Sequence, residues 1–216
     1  MIILSLQTYL TFSLVLFLLV PLGPLSTSRR IGVLFGLTVL GMLPLVHGMS
    51  PAGYVRGVTD DLACTSMVWL VAAALMRLGF IAPWARPQPL QLWICFAVLG
   101  VVLFPAAMGV GMIDTYGWGF TPRPMLIGVA GLTLVMVLLR NAAGAFLLLA
   151  ATAAFMLDVK PSDNYWDYLL DPFIFLYSLG ALAVSGIRWV VSRRPHLPES
   201  LPAAHDELGQ SGRTNA

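Results

Sequence analysis

Charge is scarce in this chain. Only 10% of its 216 residues are charged and 58% are hydrophobic, whereas roughly a quarter of the residues of a soluble domain are charged; an ordinary soluble globule is excluded and lipid is the expected solvent. The single lysine, Lys160, falls in a loop, so no buried lysine offers a retinal-type Schiff base. His47 is the only histidine before the tail, one short of the pair that a bis-histidine haem needs. HExxH, Walker A, EF-hand and CxxC patterns are all missing, which argues against zincin, nucleotide-hydrolysing, calcium-loop and redox chemistry of the familiar kinds. No ionisable residue lies near the middle of an apolar run, where proton relays and ion pathways usually sit. No cofactor and no metal is implied. The basic residues are scattered rather than gathered on one face, which excludes nucleic acid as a partner.

The two cysteines, Cys64 and Cys95, fall at opposite ends of neighbouring apolar runs. Most of a hydrocarbon layer of about 30 Å separates them, far beyond the Cα separation of about 7 Å that a disulfide tolerates. Asn-x-Ser/Thr acceptors are absent as well, which is compatible with a bacterial protein.

What the chain does have is apolar runs, at about 3 to 22, 31 to 48, 62 to 81, 90 to 112, 122 to 140, 142 to 158 and 172 to 191, with ends uncertain by a few residues. The loop charges alternate in sign with them. Arg29, Arg30, Arg77, Arg86, Arg140, Arg188, Arg193 and Arg194 share one side without a single acid; the other side carries Asp60, Asp61, Asp114, Asp158, Asp163, Asp167 and Asp171 against Arg56, Arg123 and Lys160. Sorting of this kind is the positive-inside pattern. The expected fold is therefore all-α: a polytopic integral membrane helical bundle of about seven transmembrane helices, with the N-terminus outside and the C-terminus cytoplasmic, in a bacterial cytoplasmic (inner) membrane. The first run has no positive n-region and no convincing cleavage site, and is read as a retained span. Residues 1–191 make the membrane domain; 192–216, rich in proline and polar residues, make a disordered cytoplasmic tail.

Local signals fit this scheme. Ser50-Pro51, Thr121-Pro122 and Asp171-Pro172 each read as an N-cap followed by proline at the first helical position. Arg140-Asn141 separates two runs so tightly that they form an antiparallel hairpin. Gly32 and Gly36 form a GxxxG, and Gly128, Gly131, Ala150 and Ala154 thin two further helices, as close helix packing in lipid requires. Pro44 and Pro105 are expected to kink the second and fourth helices.

Chemistry, if present, belongs on the acidic side. In PSDNYWDYLLDP, Asp163, Asp167 and Asp171 recur every four residues; on one helix they would share a face and repel one another unless a cation relieved them. The more economical reading makes Asp171 a cap, puts Asp163 near the start of a short interfacial helix, and has Tyr165, Trp166 and Tyr168 anchor it in the headgroups. GYVRGVTDDL places Arg56 beside Asp60 and Asp61, and IDTYGWGFTPRP adds Asp114 and Arg123 among aromatics suited either to an interfacial belt or to sugars and cationic headgroups. His47 with Ser50 or Ser66 and Asp60 or Asp61 offers the ingredients of an acyl-transfer triad but no nucleophile elbow.

If the loops meet, Arg56, Asp60, Asp61, Asp114, Arg123, Asp163, Asp167 and Asp171 surround one external pocket. The function expected on this basis is that of a non-catalytic membrane component or accessory subunit. Its partners are the lipid bilayer and another membrane or envelope protein or ligand, bound by its acidic-aromatic external face. The rival is a small membrane enzyme or transporter acting on a lipid-linked or sugar substrate through the same aspartates.

Overall fold

The computed structural model describes residues 2–45, 48–110 and 112–193. Among them there is no strand, and the helices in chain order are α1 (Ile2–Leu19), α2 (Thr27–Met42), α3 (Pro51–Thr59), α4 (Cys64–Leu78), α5 (Gln88–Ala107), a 3-10 turn (Gly117–Phe120), α6 (Pro122–Leu138), α7 (Ala142–Met156), α8 (Trp166–Leu169) and α9 (Pro172–Ser192). Each apolar run expected from the sequence carries one helix. Two of them, α5 and α9, are long and apolar enough to cross a membrane; Leu6–Leu19, α4, α6 and α7 are apolar but shorter. The runs overestimate helix length because apolar residues continue past the last turn, as Phe80 and Ile81 do beyond α4.

Residues up to Leu182 form one compact unit and those from Ala183 a second. In the first, α4 packs on α1 and α7, α6 lies along α7, and α1 runs against α2 and α3. Phe17, Leu14 and Leu22 meet Ala74 and Leu78 in one core between α1 and α4. The larger core holds Leu92 and Phe96 of α5, Leu147, Leu148 and Ala151 of α7, and Tyr165, Trp166, Tyr168 and Leu169 around α8. In the second unit the Arg193 guanidinium lies 3.9 Å above the Trp189 ring, a cation–π contact. The tail expected from residue 192 lies, from 194 on, outside the described residues.

Helix ends follow backbone chemistry closely. Gly79 and Gly109 end α4 and α5 with positive φ, each in a Schellman pattern: Phe80 N–H donates to Leu75 O and Val110 N–H to Pro105 O. Arg140 and Asp158 fill the same position after α6 and α7 without being glycine. The last carbonyls of α1 are capped from another helix. Arg77 of α4 donates to Phe17 O at 2.7 Å, to Leu18 O and, through its other nitrogen, to Val20 O. Arg30 in turn donates to Arg77 O at 2.7 Å. Asn141, fully buried, caps α7 by accepting from Gly144 N–H and donates to Gln88 O and Gln91 Oε1 of α5.

Two packing expectations are corrected. Pro44 follows the end of α2 rather than kinking it, while Pro105 does lie inside α5, in its last turn. The GxxxG of Gly32 and Gly36, like Gly128 and Gly131, faces open space within the chain. The glycines that do allow close approach are others: a Cβ on Gly100 would overlap the Phe175 ring.

Gly100→Ala is therefore expected to lower stability by about 1–3 kcal/mol through overpacking, whereas Gly128→Ala, which meets nothing, leaves the thermal midpoint unchanged or slightly raised. Paired melts of the two variants in mild detergent check this.

Candidate functional site

The acid-bearing connections come together. Between α7 and α9 the chain cannot continue as one helix, because Ser162 and Asn164 turn it locally. Asn164 N–H donates to Ser162 Oγ, and Asn164 Oδ1 accepts from Trp166 N–H, an Asx-type turn that starts the single turn of α8. Leu170 then extends (φ −148, ψ 137). Asp171 caps α9, its Oδ1 accepting from Ile174 N–H at 2.9 Å. Asp163, Asp167 and Asp171 thus occupy a turn, a short helix and a cap, not one face, and the cation-relieved carboxylate row is corrected accordingly. Among the described residues no group of three His, Cys, Asp or Glu is arranged to hold a metal ion.

Lys160 ties this segment to the start of α4. It is buried, and its Nζ donates to the carbonyls of Asp61 (2.8 Å), Leu62 (3.2 Å) and Asp167 (3.0 Å), which uses all three N–H donors of an ammonium group. Asp171 Oδ2 accepts from Ala63 N–H at 2.9 Å, and Thr65 Oγ1 donates to Leu169 O at 2.8 Å. The Tyr168 hydroxyl donates to Lys160 O at 2.6 Å. A second set of bonds reaches the connection after α5: Trp166 Nε1 donates to Thr115 O (2.8 Å), Tyr165 N–H to Gly119 O (3.1 Å) and Asn164 Nδ2 to Tyr116 O (3.3 Å). A Cβ on Gly119 would overlap Asn164 Oδ1, so only glycine allows this approach. Tyr165, Trp166 and Tyr168, expected at the headgroups, are instead buried core residues; Trp118 and Phe120 are the exposed aromatics here.

The three connections enclose a cavity of about 410 Å³, whose wall includes Asp60, Asp61, Lys160, Asp167 and Asp171, with Tyr116 and Ser162 beside them and Leu103 and Phe104 of α5 below. Of the eight residues expected from the sequence, four carboxylates line it. Arg56 joins through its ion pair with Asp61, at 2.9 Å. Asp114, Arg123 and Asp163 are exposed and lie outside the cavity; Asp114 closes its own turn by accepting from Gly117 N–H at 2.8 Å. His47 lies outside the described residues. Ser50 is taken up as the α3 cap, accepting from Gly53 N–H, and Ser66 is buried with no partner for its hydroxyl.

The carboxylates differ in what already holds them. Asp171 uses both oxygens on backbone N–H groups, Asp61 is held by Arg56, and Asp167 Oδ2 accepts from Ser162 Oγ at 2.5 Å. Asp60 stands apart: its backbone adopts φ 54, ψ −164, a region almost confined to glycine, and such strain collects at ligand sites. Burial pushes the Tyr116 hydroxyl up, and the nearby Asp167 carboxylate pushes it the same way. Tyr165 is raised by burial against a hydrogen bond to Thr152. Tyr168 is raised first by burial, then by Asp158 and Asp163, against its bond to the Lys160 backbone.

Reasoning from sequence put Tyr116 among the aromatics of the acidic side but missed Lys160, Thr59 and Ser162 as cavity residues. Lys160 carried a signal: it is the lone lysine, set among acids, and a lysine in such surroundings is a candidate buried partner. Comparison with protein-family models, curated proteins and solved structures finds no match.

Lys160→Met leaves three carbonyls without their donor and is expected to cost about 3 kcal/mol, whereas Asp60→Gly relieves the strained backbone and gains about 1 kcal/mol; thermal melts in detergent give both signs. Because the neutral phenols are favoured in the fold, the stability they contribute is complete below the ordinary tyrosine value of 10.0 and is lost as pH rises through the raised one. The melting temperature is expected to fall in alkali, and less steeply in Tyr165→Phe.

Proposed function

We propose that this chain is a seven-span integral protein of a bacterial cytoplasmic membrane, N-terminus outside, and that its acidic external cavity binds a cationic group of an envelope partner or ligand without transforming it. Several observations support the membrane placement. Six apolar helices, together with α2, coincide with the seven runs whose loops alternate in charge. Large apolar side chains stand exposed around them, among them Phe35, Ile127, Phe146 and Leu176, far more apolar surface than a soluble monomer tolerates. Helices of 15 to 17 residues rise about 22–26 Å at ~1.5 Å per residue, short of ~30 Å of hydrocarbon, so the bilayer would thin around them or their apolar flanks complete the crossing.

The observation that carries the binding reading is the junction of GYVRGVTDDL with NYWDYLLDP through Lys160 and Asp171, which sets the Asp60 and Asp167 carboxylates in one cavity wall. A cation entering there meets two carboxylates and the Tyr116 ring, whose face attracts positive charge. Binding is favoured over turnover because Asp61, Asp171 and Lys160 are already occupied. One observation speaks for the rival enzyme or transporter, the strained backbone at Asp60; that reading rests on Asp60 and Asp167 alone as acid/base or cation-binding groups.

Affinity capture from mild detergent tests the proposal. Asp60→Asn and Asp167→Asn are each expected to weaken retention of a stoichiometric partner about tenfold, the equivalent of one charge-assisted contact, while Asp114→Asn and Asp163→Asn leave it intact. Recovery of the bare monomer from the wild type, or equal retention by all four variants, counts against the binding reading.

A further inference from the structure

The connection after α5 exposes apolar side chains where lipid does not reach them. The 20 residues of α5, Gln88–Ala107, rise about 30 Å at ~1.5 Å per residue, the full hydrocarbon thickness of a bilayer. Beyond Ala107 the chain runs on and then returns, because Thr115 Oγ1 donates to Val102 O at 2.6 Å, more than one turn back along α5. Met108, Val110, Met112 and Ile113 lie on this excursion, and all four are exposed, Met112 completely. On α3, Val58 is 84% exposed and Tyr54, four residues earlier on the same helical face, is exposed as well. Both segments border the acidic cavity: Val58 directly precedes Thr59 and Met108 directly follows Ala107, and Thr59, Ala107 and Tyr116, where the excursion ends, are all wall residues.

An apolar patch in water with charge at its border has the anatomy of a protein–protein contact, and methionine is among the residues such contacts favour. A bilayer thinned around the shorter helices would leave this patch still further from lipid chains. Charge selects the partner. The four wall carboxylates are answered only by Lys160 and, through Asp61, by Arg56, an excess of two negative charges, and the Asp60 carboxylate has no partner among the described residues. A second copy would meet like charge, since this side carries seven acids against three bases. A basic side chain is the complement: its charged end meets Asp60 and Asp167, and its methylenes lie along Leu103 and Phe104 below them. At roughly 30 Å³ for a water-sized group, the cavity of about 410 Å³ takes about 14 such groups, room for one arginine side chain and some water. A small free cation would fill the cavity but leave the apolar border bare.

We propose that the external face docks a polypeptide segment in which one arginine or lysine is flanked by apolar residues, the basic side chain entering between Asp60 and Asp167 and the apolar flanks covering Val58 and Met108, Met112 and Ile113. The inference rests on the membrane placement and the cation-binding cavity argued above and goes beyond them in naming the partner's chemistry and the second half of its contact.

Three synthetic nonapeptide libraries, offered to the full chain in phosphatidylcholine nanodiscs and corrected for capture by empty nanodiscs, test this. The first has arginine or lysine at its centre and leucine, isoleucine, valine or phenylalanine around it; the second replaces the basic centre by glutamine; the third keeps the basic centre and replaces the flanks by serine and asparagine. The wild type is expected to capture the first about tenfold better than either of the others, one contact's worth in each comparison. Asp60→Asn is expected to abolish the preference over the glutamine library, and Met112→Ser combined with Ile113→Ser, all at exposed positions, the preference over the polar-flanked one. Equal capture of the first and third libraries overturns the inference and leaves the cation reading standing, whereas equal capture of the first and second overturns both. Capture of none overturns the inference, and the retention assay with Asp60→Asn and Asp167→Asn then decides the cation reading separately. Lipid is the other cover the patch could have: Met112→Cys is expected to react with a membrane-impermeant maleimide well above the wild-type background, and protection of that thiol in the nanodisc overturns the proposal.

Discussion

A charged group withdrawn from water must recover its hydration from the protein, and the acidic side of this molecule is organised around one such recovery. Lys160 reaches into the junction between the segments before α4 and after α7, where the carbonyls of Asp61, Leu62 and Asp167 take its three donors. Two of those acceptors lie 99 and 98 residues away in sequence. Burial of a lone ammonium costs several kcal/mol, and only complete hydrogen bonding offsets that. The ring of carbonyls therefore forms as a unit or not at all. Once it forms, Ala63 N–H is in reach of Asp171 and Tyr168 in reach of the Lys160 backbone, so the start of α4, the turn of α8 and the cap of α9 hold one another.

The arginine-rich side repeats the principle with a different group. Arg77 serves the final carbonyls of α1, and Arg30 serves Arg77 O near the end of α4, each placing a cation at the negative end of a helix. Residues that read as orientation signals thus also join helices: α1 to α4 through Arg77, and α2 to α4 through Arg30. A bundle whose loops carry few charges has few chances to satisfy its helix ends, and here the same arginines meet both needs.

The helical architecture was legible because it is written in long apolar stretches and in caps, both local features. Ser50 and Asp171 cap their helices as their Ser-Pro and Asp-Pro contexts indicate; Thr121, in the same context, makes no side-chain cap. What stayed hidden depends on partners distant in sequence. The four-residue spacing of Asp163, Asp167 and Asp171 suggested one helix, but the turn at Asn164 and the extended Leu170 break it. Tyr165, Trp166 and Tyr168 carry the composition of an interfacial anchor, yet Thr115, Thr152 and the Lys160 backbone satisfy their polar atoms in the interior. The GxxxG of α2 was visible and goes unused within the chain, whereas Gly100 and Gly119, in no recognisable motif, are where bulk is excluded. Four of the six candidate carboxylates line the cavity because the loops meet; nothing local separates Asp60 from Asp114.

An apolar cleft of about 800 Å³ between α5 and α6 shares two walls with the acidic cavity. At the end of α5, Val102 faces the cleft and Leu103 the cavity; beside α8, Leu169 faces the cleft and Leu170 the cavity. Successive residues of a helix point about 100° apart, so α5 can present different neighbours to two chambers without a gap between them. Leu103, Leu169 and Leu170 are buried in the partition itself, and Trp166 fastens it to Thr115. A single amphiphile cannot thread a polar head into one chamber and its chain into the other without dismantling that partition. What enters one chamber is therefore separate from what enters the other, and the chemistry of each is set by its own residues: Asp60 and Asp167 in the first, the apolar faces of α5 and α6 in the second.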